Sequence, residues 1–541
     1  MNHKTYAQKI WQNFKRHPLG CLGLCVLLVF VFAAVYAPFL VSSKPLFVVY
    51  DGAVYFPIFR YLFSSVFFTK KIDLFFNGVA VFLPLYIATL WLSCRLKKVL
   101  QLLLAGLFVA VFVYFGFFKV LNPANSTYLN TQKAALILQL AAGVDDEHDV
   151  RARAILPSWD IDLEYMNAYA KLNLVLAAYN KRQTHEALVA VLNSPQEVPY
   201  SLYSQELARQ NQELELLRQL LEEGKDRYDE SLEEEEQTKR ELRGASGDKR
   251  EKLQKKALQL EEENESYEEL QNRLQFIQDR SHWLQTQQER ISSIVMPPLS
   301  IHHWEDDVGG EQALNIKLPF THDTRINRKD LVSALVFGCR ISLFVGFGAT
   351  LLALAIGVSL GLVSGYYGSK IDMFVCRFVE VWEAMPVFFM LLLVVSILQT
   401  KSIFVVIAVI SVFSWMGSFR FVRAETFRQR EMAYVDASRA IGFPDSYILL
   451  RHILPNSILA VLALLPFDIM AAVTREAALA FLGLGEEQSC SWGVLMDEGR
   501  AAFPADSDLL WPPAIVLTIL LVAIAFVGQA LNAAMDPKSE E

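Results

Sequence analysis

Residues Tyr434–Pro455 read YVDASRAIGFPDSYILLRHILP. The composition of 431–441 predicts a short helix. Gly442 suits the left-handed position that closes such a helix, and Pro444, two residues on, prevents its continuation. Asp445 or Ser446 is placed to cap the next helix, and Pro455 suits the first turn of the apolar segment that follows. The stretch therefore reads as a short helix held between two apolar segments by stiff punctuation, an element able to transmit a push. The plainer alternative is an arginine-rich loop that only sets topology.

The rest of the chain decides where such an element sits. Its 541 residues are 53% hydrophobic and include 37 Phe, with a mean hydropathy of +0.28. That is too apolar for an ordinary soluble globule and points to a membrane protein. Charged residues make up 20% of the chain and gather in a central block, so a water-exposed domain interrupts the membrane part. The formal charge of -8 gives no support to nucleic-acid binding. The six cysteines are scattered and suggest neither a disulfide framework nor a metal site.

Lys4, Lys9, Lys15 and Arg16 precede an apolar run over 19–41, long enough for the roughly 20 residues a bilayer core requires. Its length favours an uncleaved span over a signal peptide. Runs at 74–92 and 99–118 flank a turn carrying Arg95, Lys97 and Lys98, which predicts a membrane hairpin with a cytoplasmic turn. Residues 122–200 suggest a helical subdomain. Within 201–295, Leu207, Leu214, Leu221 and Tyr228 recur every seven residues, and Leu253, Leu260, Tyr267 and Leu274 repeat the period beyond Gly244. An antiparallel coiled-coil hairpin follows, each arm about 60 Å long at 1.5 Å per residue. A linker at 296–330 contains His302 and His303, whose adjacency favours a surface loop over a metal site.

Apolar spans resume at 341–366, 374–398, 403–419, 458–473 and 511–531, making eight in all. Even parity leaves both termini on one side. Arg420, Arg423, Arg428, Arg430, Arg439 and Arg451 then crowd the longest cytoplasmic loop, while the acidic stretch 486–508 and the coiled coil fall outside. The fold class is thus an all-α polytopic membrane protein, with a first span at 1–60, an additional hairpin at 61–121, the extracytoplasmic insertion, and a core at 331–538.

No G-x-x-x-x-G-K-[ST], H-E-x-x-H or G-x-S-x-G occurs, so catalytic chemistry is not expected. Ionisable residues within the spans are the remaining functional candidates. Arg377 is spaced to pair with Glu380 near the interface, and Asp468 beside Pro466 is placed to face a pore or a partner. A proton-coupled carrier would use such an acid, but no relay accompanies it.

Asp436-Ala437-Ser438, Gly442 and Leu454-Pro455 resemble, at matching spacing, the loop of ABC importer permeases in which Glu-Ala-Ala is followed by three residues, Gly, nine residues and Ile-x-Leu-Pro. Asp for Glu, Ser for Ala and His452 for Ile are the departures. Arg475-Glu-Ala-Ala-Leu-Ala-Phe-Leu-Gly-Leu-Gly485, Ser491-Trp-Gly, Asp497-Glu-Gly-Arg500 and Asp536-Pro537 resemble the C-terminal signature of the C-type permease subunit of the oligopeptide/dipeptide/nickel type. Phe337-Gly-Cys-Arg-Ile-Ser-Leu resembles that subunit's entry to its second core span, with Asn327 and Lys329 departing from the pattern. The likeness covers 1–60 and 320–538 and omits 61–300.

This resemblance implies a six-span permease core, enlarged here to eight, in the cytoplasmic (inner) membrane with both termini cytoplasmic. It implies a paralogous permease subunit, two cytoplasmic ATPase subunits that hold ATP and Mg, and an extracytoplasmic substrate-binding protein as partners in peptide import. Tyr434, Asp436, Ala437, Ser438, Arg439, Gly442, Phe443, Leu454 and Pro455 would contact the ATPase. Asp468, Glu476, Arg377 and Glu380 are candidate pathway or structural residues. No cofactor is expected on the chain itself. A membrane-anchored coiled-coil adhesion or sensor protein is the rival reading, and eight spans are excessive for an anchor.

Overall fold

The computed structural model of the chain describes residues 6–65, 67–91, 94–119, 202–244, 248–305, 330–398, 402–486, 488–502 and 509–535. The subdomain expected at 122–200, residues 306–329 of the linker and Asp536-Pro537 lie outside the described residues. Of the seam position Leu207 only the helical backbone is described.

An amphipathic helix α1 (Tyr6–Phe14) leads into α2 (Pro18–Val35), the first apolar span. The pair α3 (Lys71–Ala88) and α4 (Cys94–Val113) follows. Next come the long arms α5 (Leu202–Leu242) and α6 (Asp248–Glu289). The largest core helix, α7 (Leu331–Tyr367), is 37 residues long. Its start is fixed by Asp330, whose carboxylate accepts from the Ser333 amide at 2.7 Å, a side-chain N-cap.

After α7 come two bent pairs: α8 (Ser369–Ala384) with α9 (Val387–Leu398), bent by 82°, and α10 (Ile403–Ser414) with α11 (Met416–Arg430), bent by 44°. Beyond the 434–455 stretch, described below, run α13 (Leu454–Leu462) and α14 (Leu465–Leu479). The chain closes with α15 (Trp492–Ala502) and α16 (Trp511–Met535). Among the described residues five helices are long and apolar enough to cross a bilayer, and the two bent pairs pass the same test together. Seven of the eight expected spans thus have a counterpart, and the eighth, 458–473, is divided between α13 and α14, neither of which is long enough to pass that test.

One small sheet stands apart from the expected all-α architecture. Strands β1 (Phe47–Tyr50) and β2 (Ala53–Tyr55) form a hairpin through Asp51-Gly52, both at positive φ, and β3 (Ile291–Val295) pairs antiparallel with β1. Asp-Gly between alternating apolar residues is a strong hairpin signal. The sheet joins the end of α6 to the segment after α2.

The arms α5 and α6 run antiparallel. Leu214 and Leu217 pack with Leu270 and Leu274, the Tyr228 and Tyr267 rings stack at 4.3 Å, and Ser231 bonds to Asn264. Gly224, which weakens a helix in isolation, makes room for the Tyr267 ring at 3.2 Å from its would-be Cβ.

The core is one apolar cluster shared by the permease-like helices and the hairpin at 61–121. Leu74, Phe76 and Ala80 of α3 are buried with Phe337 and Ile341 of α7. Helix α7 also packs along α11, and three glycines at i, i+4, i+8 explain how. A Cβ on Gly357, Gly361 or Gly365 would lie 2.7 to 2.9 Å from atoms of α11, and that on Gly357 also 2.6 Å from the Trp415 carbonyl just before it. Small residues at this spacing let two helix backbones approach closely in a membrane.

Candidate functional site

The 434–455 stretch lies at the end of the bundle where α7 and α11 finish. Helix α12 (Ala433–Ala440) follows α11 directly. Its two buried posts are Val435 and Ser438. Val435 packs with Leu362, Val422, Ile448 and Ile453, and the Ser438 hydroxyl donates to the Tyr434 carbonyl at 2.8 Å. Tyr434 in turn donates to Gln429 Oε1 at 2.6 Å, tying α12 to α11.

Gly442 has φ +90°. Its amide donates to the Arg439 carbonyl at 2.9 Å, and the Phe443 amide donates to the Ser438 carbonyl at 3.2 Å. This pair of bonds is a Schellman motif, which uses the left-handed residue to satisfy two carbonyls at a helix end. The termination expected at Gly442 is present.

The expected cap is not. Pro444 occupies the N-cap position of the next helical segment, Asp445–Tyr447, and no side chain caps it. Asp445 is instead the acceptor for the Tyr366 hydroxyl at 2.6 Å, at the last turn of α7. A proline N-cap has no side-chain acceptor to offer, and the carboxylate is drawn to the phenol. The chain then runs through a wide π turn at Ile448–Ile453 into α13, with Pro455 in its first turn. Proline lacks the amide an α-turn would use and clashes with the carbonyl four residues back, and a widened turn accommodates both.

Two contacts anchor the element to α7 through Tyr366, and a third, from Arg430, ties the end of α11 to the same residue. Arg439 lies with its guanidinium carbon 5.2 Å from the Tyr366 ring centroid, and the bond to Tyr366 is the main cause that raises its pKa. Tyr366 holds Asp445. Arg430 donates to the Tyr366 carbonyl at 3.2 Å. Nearby, Arg423 Nη2 donates to Asp372 Oδ2 at 2.6 Å and Ser364 Oγ to Asp372 Oδ1 at 2.5 Å.

Part of what remains outward is apolar. Ile441 is 74% exposed, Leu450 64% and Phe443 41%. The Phe443 and Tyr447 rings stack at 4.7 Å. Asp436 and Ala437 are exposed on the same element, and Asp436 lies 3.6 Å from Arg439. A helix pinned from behind and presenting a mixed apolar and charged front is suited to rigid docking.

The other candidate residues do not join this site. Arg377 and Glu380 pair at 2.6 Å on the exposed face of α8, as the spacing predicts. Asp468, half-buried on α14, interacts with Ser418 and Arg475, and Arg475 donates to Ser414 at 2.7 Å. Glu476 is buried and accepts from the Ser491 hydroxyl at 2.7 Å, tying α14 to the loop before α15. It borders a cavity of about 10 Å³ with Ile341, Ile403, Glu486 and Ser489. That is room for about one water. No group of three or more potential metal ligands occurs among the described residues. His303 packs among the Phe67, Phe68 and Phe337 rings.

Tyr366, Asp372 and the glycine row support the candidate element and were not singled out by motif reading. Only the glycine spacing left a visible signal.

The family model described as the binding-protein-dependent transport system inner membrane component matches residues 357–541. The model for the N-terminal TM domain of oligopeptide transport permease C matches residues 5–55. The peptidoglycan transport system permease protein YejE of Agrobacterium fabrum is 36% identical over 211 residues, 39% of this chain and 55% of its own length. The inner membrane ABC transporter permease protein YejE of Escherichia coli is 36% identical over 218 residues, 40% of this chain and 62% of its own. The oligopeptide transport system permease protein OppC of Haemophilus influenzae is 34% identical over 216 residues, 40% of this chain and 69% of its own. The chain thus spans between about half and about seven-tenths of these relatives.

Proposed function

The chain belongs to the family of binding-protein-dependent transport system inner membrane components, and from that premise we propose that it is a permease subunit of an ATP-driven importer for peptides. The names of its relatives, which include oligopeptide and peptidoglycan transport permeases, suggest the substrate class. In this reading a second, related permease shares the translocation path, an extracytoplasmic binding protein delivers substrate, and two cytoplasmic ATPases hold ATP and Mg. Both termini and the 434–455 loop face the cytoplasm, and the 122–300 insertion faces outward, where it docks or clamps a partner. Asp468 and Arg475 are the charged residues placed to line or support the path.

The observation that carries the proposal is the α12 element: a Schellman-closed helix anchored to α7 through Tyr366, with Ile441, Phe443 and Leu450 turned outward. Docked in an ATPase cleft, it converts nucleotide-driven closure into movement of α7 and α11. The requirement is a difference in contact energy between the two states of the permease, and a rigid plug supplies it.

The test is co-purification of the full chain with an ATPase subunit from membranes, together with ATP-dependent peptide uptake. Both are expected to fail when Gly442 is replaced by Val while the chain still inserts. Unchanged uptake and unchanged association would sink the assignment.

A further inference from the structure

Arg340, in the stretch Phe337-Gly-Cys-Arg-Ile-Ser, is a fully buried cation near the start of α7. Its five N–H groups meet five acceptors. Nε donates to the Ala34 carbonyl at 2.7 Å. One terminal nitrogen donates to Asp73 Oδ1 at 2.9 Å and to the Asp73 carbonyl at 3.3 Å. The other donates to Asn77 Oδ1 at 2.8 Å and to the Val35 carbonyl at 3.4 Å. The Asn77 amide is held by the Leu62 carbonyl at 2.8 Å. Phe337 and Phe76 cover the guanidinium at 4.8 and 5.5 Å.

The arrangement is electrostatically consistent beyond the ion pair. Ala34 and Val35 end α2, where carbonyls lack intrahelical partners and a cation is favoured, and Asp73 lies in the first turn of α3, where an anion is favoured. Only a guanidinium has the donor count and fork geometry to satisfy both ends at once.

The origin of the partners is the unexpected part. Arg340 belongs to a stretch that resembles the permease core, but Asp73 and Asn77 come from the hairpin at 61–121, which that resemblance does not cover. Lys70, also from the inserted segment, lies 3.7 Å from Glu486 in the loop before α15, and Thr69 donates to Glu305.

We propose that Asp73 and Asn77 are positioning residues of the permease: the inserted helix α3 supplies the counter-charge that fixes Arg340, so that α2, α3 and α7 form one body. The insertion is therefore built into the core and is not a removable ornament. About 39 Å of α7 separates Arg340 from Tyr366, so the insertion is fastened to one end of the helix whose other end holds the 434–455 loop. A displacement at the loop carries the insertion with it. This mechanical consequence rests on the importer reading, whereas the cage itself does not.

The experiment is a double-mutant cycle on the full-length chain in lipid nanodiscs, read by thermal melting, with uptake in cells as a second readout. Asp73→Asn leaves a buried cation unpaired and Arg340→Gln leaves a buried anion. Breaking one side of such a pair is far more costly than neutralising both. Each single variant is expected to melt lower than wild type, and the double variant to recover most of the loss. Arg340→Lys is expected not to recover, because an ammonium cannot reach both helix ends. Transposing the carboxylate, with Asp73→Asn and Asn77→Asp together, is expected to rescue part of the Asp73→Asn loss in both readouts, which a space-filling role would not produce. Additive losses in the cycle, or single variants that melt like wild type, overturn the proposal. If wild type itself shows no uptake, the importer reading fails while the melting cycle still decides the cage.

Discussion

Replacing Gly442 probes the coupling element through backbone geometry alone. A Cβ built at this position meets nothing within 4 Å, so a substituted side chain has open space and any penalty arises from φ +90°. A non-glycine residue in the left-handed region costs about 1–2 kcal/mol for Ala, and strained positions cost up to about 3 kcal/mol for a β-branched residue such as Val. The turn is closed by two backbone hydrogen bonds, of 2.9 and 3.2 Å. At about 1 kcal/mol net each they contribute about 2 kcal/mol. Ala therefore leaves the turn mostly closed, shifting its opening equilibrium about tenfold, whereas Val opens it by about a hundredfold. Asn tolerates the left-handed region and falls between Gly and Ala. The assay is ATP-dependent uptake, normalised to chain in the membrane, with ATPase co-purification alongside. The expected order is Gly, Asn, Ala, Val. A Val variant that transports like wild type, or an Asn variant as impaired as Val, would refute the backbone argument.

Other perturbations separate the front of the element from its anchors. Ile441→Asp and Phe443→Asp change only exposed positions, so the chain should insert and melt normally while ATPase co-purification falls. Tyr366→Phe removes the 2.6 Å bond to Asp445. It should cost about 1 kcal/mol of local stability and lower uptake several-fold without altering membrane levels. Asp372 accepts from Arg423 at 2.6 Å and from Ser364 at 2.5 Å, joining α8 to α11 and α7. Asp372→Asn leaves the Arg423 guanidinium without its carboxylate and should lower the melting temperature in nanodiscs, and an unchanged melt would show that the pair contributes no stability.

Local punctuation was legible in the sequence because glycine and proline act within a few residues. Gly442 closes its helix as its position and the following Pro444 require. The cap at Asp445 was misjudged because its competing partner, Tyr366, lies 79 residues away. Distance in sequence also hid Asp73 and Asn77, since nothing near Arg340 announces an acceptor 263 or 267 residues distant. The Asp51-Gly52 hairpin carried a readable signal, but the third strand arrives from residue 291, and strand pairing over such a separation leaves no local trace. The apolar runs located the spans; the break at Met385-Pro386 falls at a proline, again a local signal, whereas the one at Trp415 is marked by neither glycine nor proline at that residue.

The central claim, that 434–455 is the contact with an ATPase, is tested most directly by a photo-crosslinking residue at the exposed Ala440 in native membranes. The same residue at Phe59, exposed beside β2, serves as the control. A cross-link to an ATPase subunit from position 440, altered by ATP and absent from position 59, is the predicted result. An ATPase that co-purifies but is not reached from 440, or is reached from 59, contradicts it.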